Sequence, residues 1–326
     1  MLPPAVSTAA TRPLGKTDIQ VTPIGLGVME LAGGGGLAGR GFPIIPQTDK
    51  NAIIQAALDG GINWFDTAEL YGAGVSERSL ADGLKAAGKR PGQVVVATKW
   101  LPLLRTARNI PRTITDRLRF LEGYPIDLYY VHMPLSFSSP EAEMNAMADL
   151  VAAGQIRSVG VSNFNPARMR RAHAALAKRG LPLATNQVQY SLLHRQIEAD
   201  GTLETARELG VTITAYTPLA SGLLTGKYHK NPELLKNKNF YWRGRMQRQL
   251  EASRPVVAAL EELAAKYQVT PAQIALNWII WFNGELVVTI PGATQVKQAA
   301  ENAAAMHFKL ADADLARLDE LSRSFR

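Results

Sequence analysis

GINWFDTAELYGAGVSE, residues 61–77, decides the fold. INWFD (62–66) is a short apolar run that ends on a carboxylate, Asp66. A polar turn follows, and Ser76-Glu77 opens a helical pattern reaching residue 87. A strand-like run that feeds through a turn into a helix is one βα unit. The unit recurs in both directions along the chain. Strand-like runs stand at IGLGV (24–28), VVVAT (94–98), DLYYVH (127–132), SVGVS (158–162), TNQVQ (185–189), TITAY (212–216) and LVVTI (286–290). Helix-like stretches lie near 49–59, 76–87, 111–122, 140–153, 165–179, 200–209, 253–267 and 295–304. The runs are almost continuously apolar, as parallel strands buried on both faces are. Alternation of this kind implies an α/β protein with a parallel sheet, doubly wound or closed, and a count of eight favours a closed (β/α)8 TIM barrel.

Local signals mark the joints. Thr48-Asp49, Ser76-Glu77, Ser139-Pro140-Glu141 and Asn165-Pro166 read as helix starts; Gly60-Gly61, Gly154, Gly180 and Gly210 read as helix ends. Extra helices are expected at 271–282, within the seventh unit, and at 312–323. The longest irregular segment is 217–252, and so long a loop in a compact domain is usually functional. Residues 1–11 read as a flexible tail, and 12–326 as one domain.

Composition narrows the function classes. The 326 residues are 46% hydrophobic and 20% charged, ordinary for a globular protein. No apolar run approaches the ~18–20 residues of a membrane span. MLPPAVSTAATR lacks the cationic start and apolar core of a secretory signal. There is no cysteine, which removes disulfides, thiol catalysis and cysteine-held metals and suits a reducing, cytoplasmic setting. His132, His173, His194, His229 and His307 show no metal-ligand spacing, so no catalytic metal is expected. The net charge of +8 raises the question of nucleic acid. The densest basic stretch, RGRMQR (243–248), reads as a solvated or phosphate-facing loop, and no nucleic-acid-binding signature accompanies it. A positive field also attracts a polyanionic dinucleotide. Gly34, Gly36 and Gly39 match GxGxxG, but GRGFPIIPQ follows and cannot start a helix, so the match reads as a glycine-rich loop.

Four polar residues stand at or just beyond the ends of strand-like runs: Asp66, Tyr71, Lys99 and His132. Singly, Asp66 is readable as a cap and Tyr71 as a packed ring. Together they are an acid, a phenol, an amine and an imidazole at one rim, where barrel enzymes keep their chemistry. A phenol titrates near pH ~10 and donates a proton poorly. A neighbouring ammonium lowers that value, and a carboxylate can hold the ammonium in place.

The stretches RPLGKTDIQVTPIGLG (12–27, hairpin-like), GINWFDTAELYGAGVSE, ATKW (97–100), VHMP (131–134), VGVSNF (159–164), NQVQYSLL (186–193), AYTPLASGLLTGKY (215–228) and TIPGATQVKQAAEN (289–302) occur in an order that resembles the aldo-keto reductase superfamily. The resemblance implies a (β/α)8 barrel with an N-terminal β-hairpin and extra helices. It makes Asp66, Tyr71, Lys99 and His132 the catalytic tetrad, and the histidine points to a reductase rather than a branch kept for binding. It implies that Ser162, Asn163 and Gln187 hold a nicotinamide carboxamide on which Tyr216 stacks. Thr217, Pro218, Leu219, Ala220 and Ser221, with Gly226-Lys227, would lie over the pyrophosphate. Gly292, Thr294, Gln298, Glu301 and Asn302 would meet the adenosine end, the last three sharing one helix face. Without the family, these same residues read as turn chemistry, barrel packing and a solvated helix face.

The implied cofactor is NADPH, with NADH weaker, and the implied partner is a small carbonyl compound. Two departures bear on this. Thr294-Gln295 stand where many NADPH-using relatives carry a cation, and Val28-Met29 replace the usual Thr-Trp beside the nicotinamide. Pocket loops are expected at 29–47, 217–252 and the C-terminal end, where a long closing loop is not evident, which implies a more open site. NQVQYSLL and TPLASGLLTGKY resemble branches that include pyridoxal reductases, microbial aldehyde reductases and potassium-channel β subunits. That company keeps open a second function, a cofactor-holding redox sensor with slow turnover. Oligomeric state is not legible.

Overall fold

A computed structural model describes residues 10–33, 43–237 and 240–326. Eight parallel strands form one sheet in sequence order: β1 (Leu26–Gly27), β2 (Trp64–Asp66), β3 (Val95–Trp100), β4 (Leu128–Val131), β5 (Ser158–Ser162), β6 (Leu183–Gln189), β7 (Thr212–Tyr216) and β8 (Val287–Thr289). Parallel bridges Ile24–Thr289 and Gly27–Gly292 bring the first strand's run beside the last. Gly25 N–H donates to the Thr289 carbonyl at 2.8 Å and Gly27 N–H to the Pro291 carbonyl at 3.0 Å, which closes the barrel. The expected fold class is what forms.

Period-two alternation sorts the side chains. Phe65, Val96, Tyr129 and Val131 pack outward in the larger core, while Trp64, Ala97, Leu128 and Tyr130 belong to a separate inner cluster. The inner parity runs through Trp64 to Asp66, through Ala97 to Lys99, and through Leu128 and Tyr130 to His132. Three candidate catalytic residues therefore end the inward rows of three adjacent strands. Glycine makes room for the large inner rings. A Cβ on Gly25 would lie 2.4 Å from the Trp64 ring, and one on Gly160 would lie 2.6 Å from Tyr130. The antiparallel hairpin, Arg12–Pro13 with Gln20–Val21, contributes Leu14, Ile19 and Val21 to the inner cluster and so plugs the N-terminal end. Chemistry is left to the other end.

Helices α1 (Gln47–Asp59), α2 (Val75–Ala86), α3 (Ile110–Phe120), α4 (Pro140–Ala152), α5 (Pro166–Ala177) and α6 (Thr202–Leu209) follow the first six strands. Ser139 and Asn165 cap α4 and α5 as expected, accepting from the Ala142 and Arg168 N–H groups. The Ser76-Glu77 and Thr48-Asp49 starts are corrected. The first caps of α2 and α1 are Gly74, in a left-handed conformation, and Pro46. Ser76 and Glu77 lie inside α2 and are fully buried.

The segment 217–252 is not irregular. It holds the 3-10 turns Ala220–Thr225 and Pro232–Asn237, the short α7 (Lys227–Lys230) and α8 (Phe240–Ala252). RGRMQR is thus helical rather than a loop. Helices α9 (Arg254–Tyr267), α10 (Pro271–Phe282), α11 (Val296–Ala304) and α12 (Asp312–Leu321) complete the chain. It is α10, expected as the extra helix, that packs on β8; α9 packs on α10 and α12. IALNWIIWF is apolar all round, as a helix covered on both sides must be. Gly34, Gly36 and Gly39 and the tail through residue 9 lie outside the described residues.

Candidate active site

Lys99 organises the rim. Its side chain is fully buried and its Nζ donates to Asp66 Oδ1, to the Thr67 carbonyl at 2.8 Å and to the Tyr71 hydroxyl at 3.4 Å. Gln187 Nε2 donates to the other Asp66 oxygen at 2.9 Å. The Tyr71 ring meets His132 edge-on, with centroids 5.6 Å apart. His132 Nδ1 is buried without a hydrogen-bond partner. The structure therefore brings the acid, amine, phenol and imidazole into one cluster.

Burial dominates the electrostatics. It pushes the Asp66 carboxyl up and the Lys99 ammonium down, and each is the other's main counterweight. It pulls His132 down to about 3, with the Lys99 charge acting the same way, so the imidazole is neutral at ordinary pH. Tyr71 is raised well above the usual phenol value, by burial first and then by the Asp66 and Glu30 carboxylates. This corrects the expectation of a lowered phenol: in the protein alone, desolvation outweighs the ammonium at 3.4 Å. A raised value keeps the phenol protonated, which is the form a proton donor must start from.

The turn that carries Tyr71 is tied down by charged residues that sequence reasoning missed or misread. Glu69 accepts from Leu101 N–H at 2.9 Å and from Arg105 at 2.7 Å, and lies 3.6 Å from Arg117. Arg117 also pairs with Glu77 at 3.2 Å, and Glu77 accepts from Thr98, the neighbour of Lys99, at 2.7 Å. Ser76 Oγ accepts from Thr67 at 2.8 Å and donates to the Val28 carbonyl at 2.7 Å. Glu77 therefore braces β3 rather than capping α2. Its i+1 position after a serine hid that role. Arg117 is on a helix surface by period, and no local pattern announces it.

The carboxamide candidates form a chain across three strand ends. Ser162 Oγ donates to the Gln187 carbonyl at 2.9 Å, Asn163 Nδ2 donates to Ser162 Oγ at 3.1 Å, and the Tyr216 hydroxyl donates to Asn163 Oδ1 at 3.1 Å. The loop Thr217-Pro218-Leu219-Ala220-Ser221 has left-handed φ at Thr217 (53°), Ala220 (49°) and Ser221 (55°). Non-glycine residues in that region cost of order 1–3 kcal/mol each and cluster at ligand clamps. Lys227 is exposed, and its Nζ folds back to 3.1 Å from where a Gly222 Cβ would stand, above that turn. On the far side, Thr294 N–H and Oγ1 both donate to Gln298 Oε1, at 2.8 and 3.1 Å. Asn302 is buried and donates to the Gly292 carbonyl at 3.1 Å, so it holds the loop rather than standing open. Glu301 is half-buried, 3.8 Å from the exposed Lys297. Met29 opens a 3-10 turn, Met29–Ala32, directly after β1. An amide-rich rim, a strained loop and an exposed ammonium over the Tyr228 ring suit the donor needs of a nicotinamide dinucleotide: a carboxamide at one end and phosphates at the other.

The Aldo/keto reductase family profile matches residues 23–323 of this chain. The chain is 31% identical over 316 residues to the chloroplastic pyridoxal reductase of Arabidopsis thaliana, covering 92% of this chain and 83% of that one. It is 31% identical over 289 residues to an NADP(+) aldo-keto reductase of Schizosaccharomyces pombe, covering 83% and 82%. The structure of the glycerol dehydrogenase of Gluconobacter oxydans superposes with a TM-score of 0.77 at 28% identity, over 97% of this chain and 95% of that one. The chain belongs to the aldo-keto reductase family and is an oxidoreductase of that class.

Proposed function

We propose that this protein reduces aldehydes or ketones to alcohols with NADPH, using Tyr71 as the proton donor. The observation that carries the reading is the Lys99 ammonium, held by Asp66 and placed 3.4 Å from the Tyr71 hydroxyl in a buried site. When bound, the reduced nicotinamide supplies the hydride for the carbonyl carbon. Tyr71, kept protonated by burial, delivers its proton to the carbonyl oxygen, and the adjacent ammonium stabilises the phenolate left behind. Neutral His132, edge-on to Tyr71, orients the carbonyl by a hydrogen bond and takes no charge of its own.

Ser162, Asn163 and Gln187 are the residues that would hold the carboxamide, with Tyr216 against the ring. The loop 217–221 and Lys227 would hold the phosphates, and Gly292 to Asn302, with Met29, would hold the remainder. The NADP(+) relative supports the phosphorylated cofactor, while Thr294-Gln295 argue for a modest preference over NADH. The absence of cysteine supports a cytoplasmic, reducing setting.

The test is Tyr71→Phe. Carbonyl reduction falls by ~10²–10⁴-fold, the usual contribution of a general acid. The dissociation constants for NADPH and NADH, read from protein fluorescence, stay at their wild-type values, with NADPH the tighter. A variant that keeps more than half the wild-type rate on a ketone removes Tyr71 from this role.

A further inference from the structure

Glu30 is a carboxylate of the mouth that the proposed chemistry does not use. It lies in the Met29–Ala32 turn after β1, half-buried. Both of its carboxyl oxygens come within 2.3 Å of where a Cβ on Gly292 would stand. The carboxylate therefore lies flat against the bare α-carbon of the first residue in the stretch that would meet the cofactor's adenosine end. Its charge also reaches the Tyr71 hydroxyl. Among the described residues, no lysine or arginine nitrogen lies within 4.0 Å of it. A carboxylate with no counter-ion among the described residues, set beside the stretch that would meet a polyanionic dinucleotide, opposes its binding.

Among the described residues, the neighbouring ionisable groups do not supply that counter-charge. From β2 and its turn come Asp66 and Tyr71, and from β3 comes Lys99, already spent on Asp66. From β4 comes neutral His132, and from the end of β7 comes Tyr216. Helix α2, which packs on the Met29–Ala32 turn, carries Glu77, Arg78, Asp82 and Lys85; Glu77 is held by Arg117 and Lys85 by Glu122. Helix α11, after Gly292, carries Lys297 with Glu301.

Resting on the cofactor reading above, we propose that Glu30 is a proton-linked brake on cofactor retention: dinucleotide binding takes up a proton at Glu30, and the charged carboxylate speeds release. Burial pushes this carboxyl up to about 7, which puts the switch within the working pH range. A site that ejects its cofactor more readily turns over faster, so Glu30 favours an enzyme over a slow redox sensor.

The experiment measures dissociation constants of NADH by protein fluorescence from pH 6 to 9, for wild type and Glu30→Gln. NADH lacks the 2′-phosphate, whose own titration would confuse the profile. Calorimetry in two buffers of different ionisation enthalpy counts the protons taken up by wild type, independently of any variant. In wild type the constant rises above pH ~7, approaching tenfold per pH unit, the limit for one linked proton. Uptake approaches one proton per cofactor at pH 8. In Glu30→Gln the constant rises less steeply, uptake falls by nearly one proton, and stopped-flow release at pH 8 slows. Glu77 is also raised to about 7, and the comparison with Glu30→Gln subtracts its contribution. A Glu30→Gln protein with the wild-type slope and uptake overturns the proposal while leaving the cofactor reading intact. Failure of either dinucleotide to bind overturns both.

Discussion

Replacing Lys99 by methionine removes a charge from the centre of the rim while keeping most of its volume. Its ammonium lies 3.4 Å from the Tyr71 hydroxyl. At an effective dielectric constant of 20, a full phenolate charge at that distance is stabilised by about 5 kcal/mol. Each 1.36 kcal/mol is tenfold in rate, so the ceiling is roughly 10³–10⁴, and a half-transferred proton realises about 10². Asp66→Asn reaches the same end by another route. Lys99 is fully buried and Asp66 is its counter-charge, so without the carboxylate burial drives the amine toward neutrality. Both losses express one missing positive charge, and the double variant is therefore little slower than Lys99→Met alone. Stability behaves in parallel. Lys99→Met strands a buried carboxylate that keeps the Gln187 amide as a hydrogen-bond donor, at a cost of about 3–5 kcal/mol. Adding Asp66→Asn removes the stranded charge and recovers part of that loss. Single-turnover hydride transfer, followed by NADPH absorbance, isolates the chemical step, and urea unfolding gives the stabilities. If the two rate losses multiply, Asp66 acts independently of Lys99, through Gln187 or the cofactor, and the relay is wrong.

The βα alternation was legible because burial on both faces forces apolar runs, and eight such runs leave few closures. The TITAY and SVGVS boundaries coincide with the strands, while VVVAT extends on to Trp100 and IGLGV shrinks to Leu26–Gly27. A strand's ends depend on its neighbours' register, which no single run contains. The convergence of Asp66, Lys99 and His132 at one rim was legible because they end inward rows, a consequence of the period of two, whereas Tyr71 stands in the turn beyond. The helix at Phe240–Ala252 was missed because FYWRGRMQRQLEA has a glycine inside it and no apolar stripe. The assignment of 253–267 as a barrel helix failed for the opposite reason. Its stripe is regular, whereas the helix that packs on β8 has no polar face and so no period to read. Glu30 carried no signal at all. Its position matters only because β1 and β8 meet when the barrel closes, a contact across more than 250 residues.

Two further predictions concern the scaffold and pH. Arg195 is fully buried, bonded to Glu198, Asp319 and Ser322 and lying over Trp278 and Phe282, so it ties the β6–α6 connection to the end of α12. Arg195→Leu removes the buried guanidinium from Glu198 and Asp319, which keep Arg326 and Arg323 as partners, and lowers the urea unfolding free energy by about 1.5–3 kcal/mol, with the Michaelis constant unchanged; a loss under 1 kcal/mol refutes this. For His132 the sign follows from its lowered value of about 3 against ~6.5 in the unfolded chain. Above pH ~6.5 both states are neutral and its contribution is complete. As pH falls below that, the unfolded chain takes up a proton that the folded imidazole refuses, and stability is lost down toward pH ~3. The buried acids Asp66, Glu30 and Glu77 are shifted up and titrate the other way, so the informative quantity is the difference between wild type and His132→Gln. Between pH 6.5 and 4.5 wild type loses about 1–2 kcal/mol more than the variant, allowing for the partial exposure of the ring. The same neutrality governs the chemistry. A single-turnover profile at saturating cofactor shows no limb between pH 6 and 7 that disappears with His132→Gln. Such a limb would mean that the imidazolium is a working form, and that His132 donates a proton rather than orienting the carbonyl.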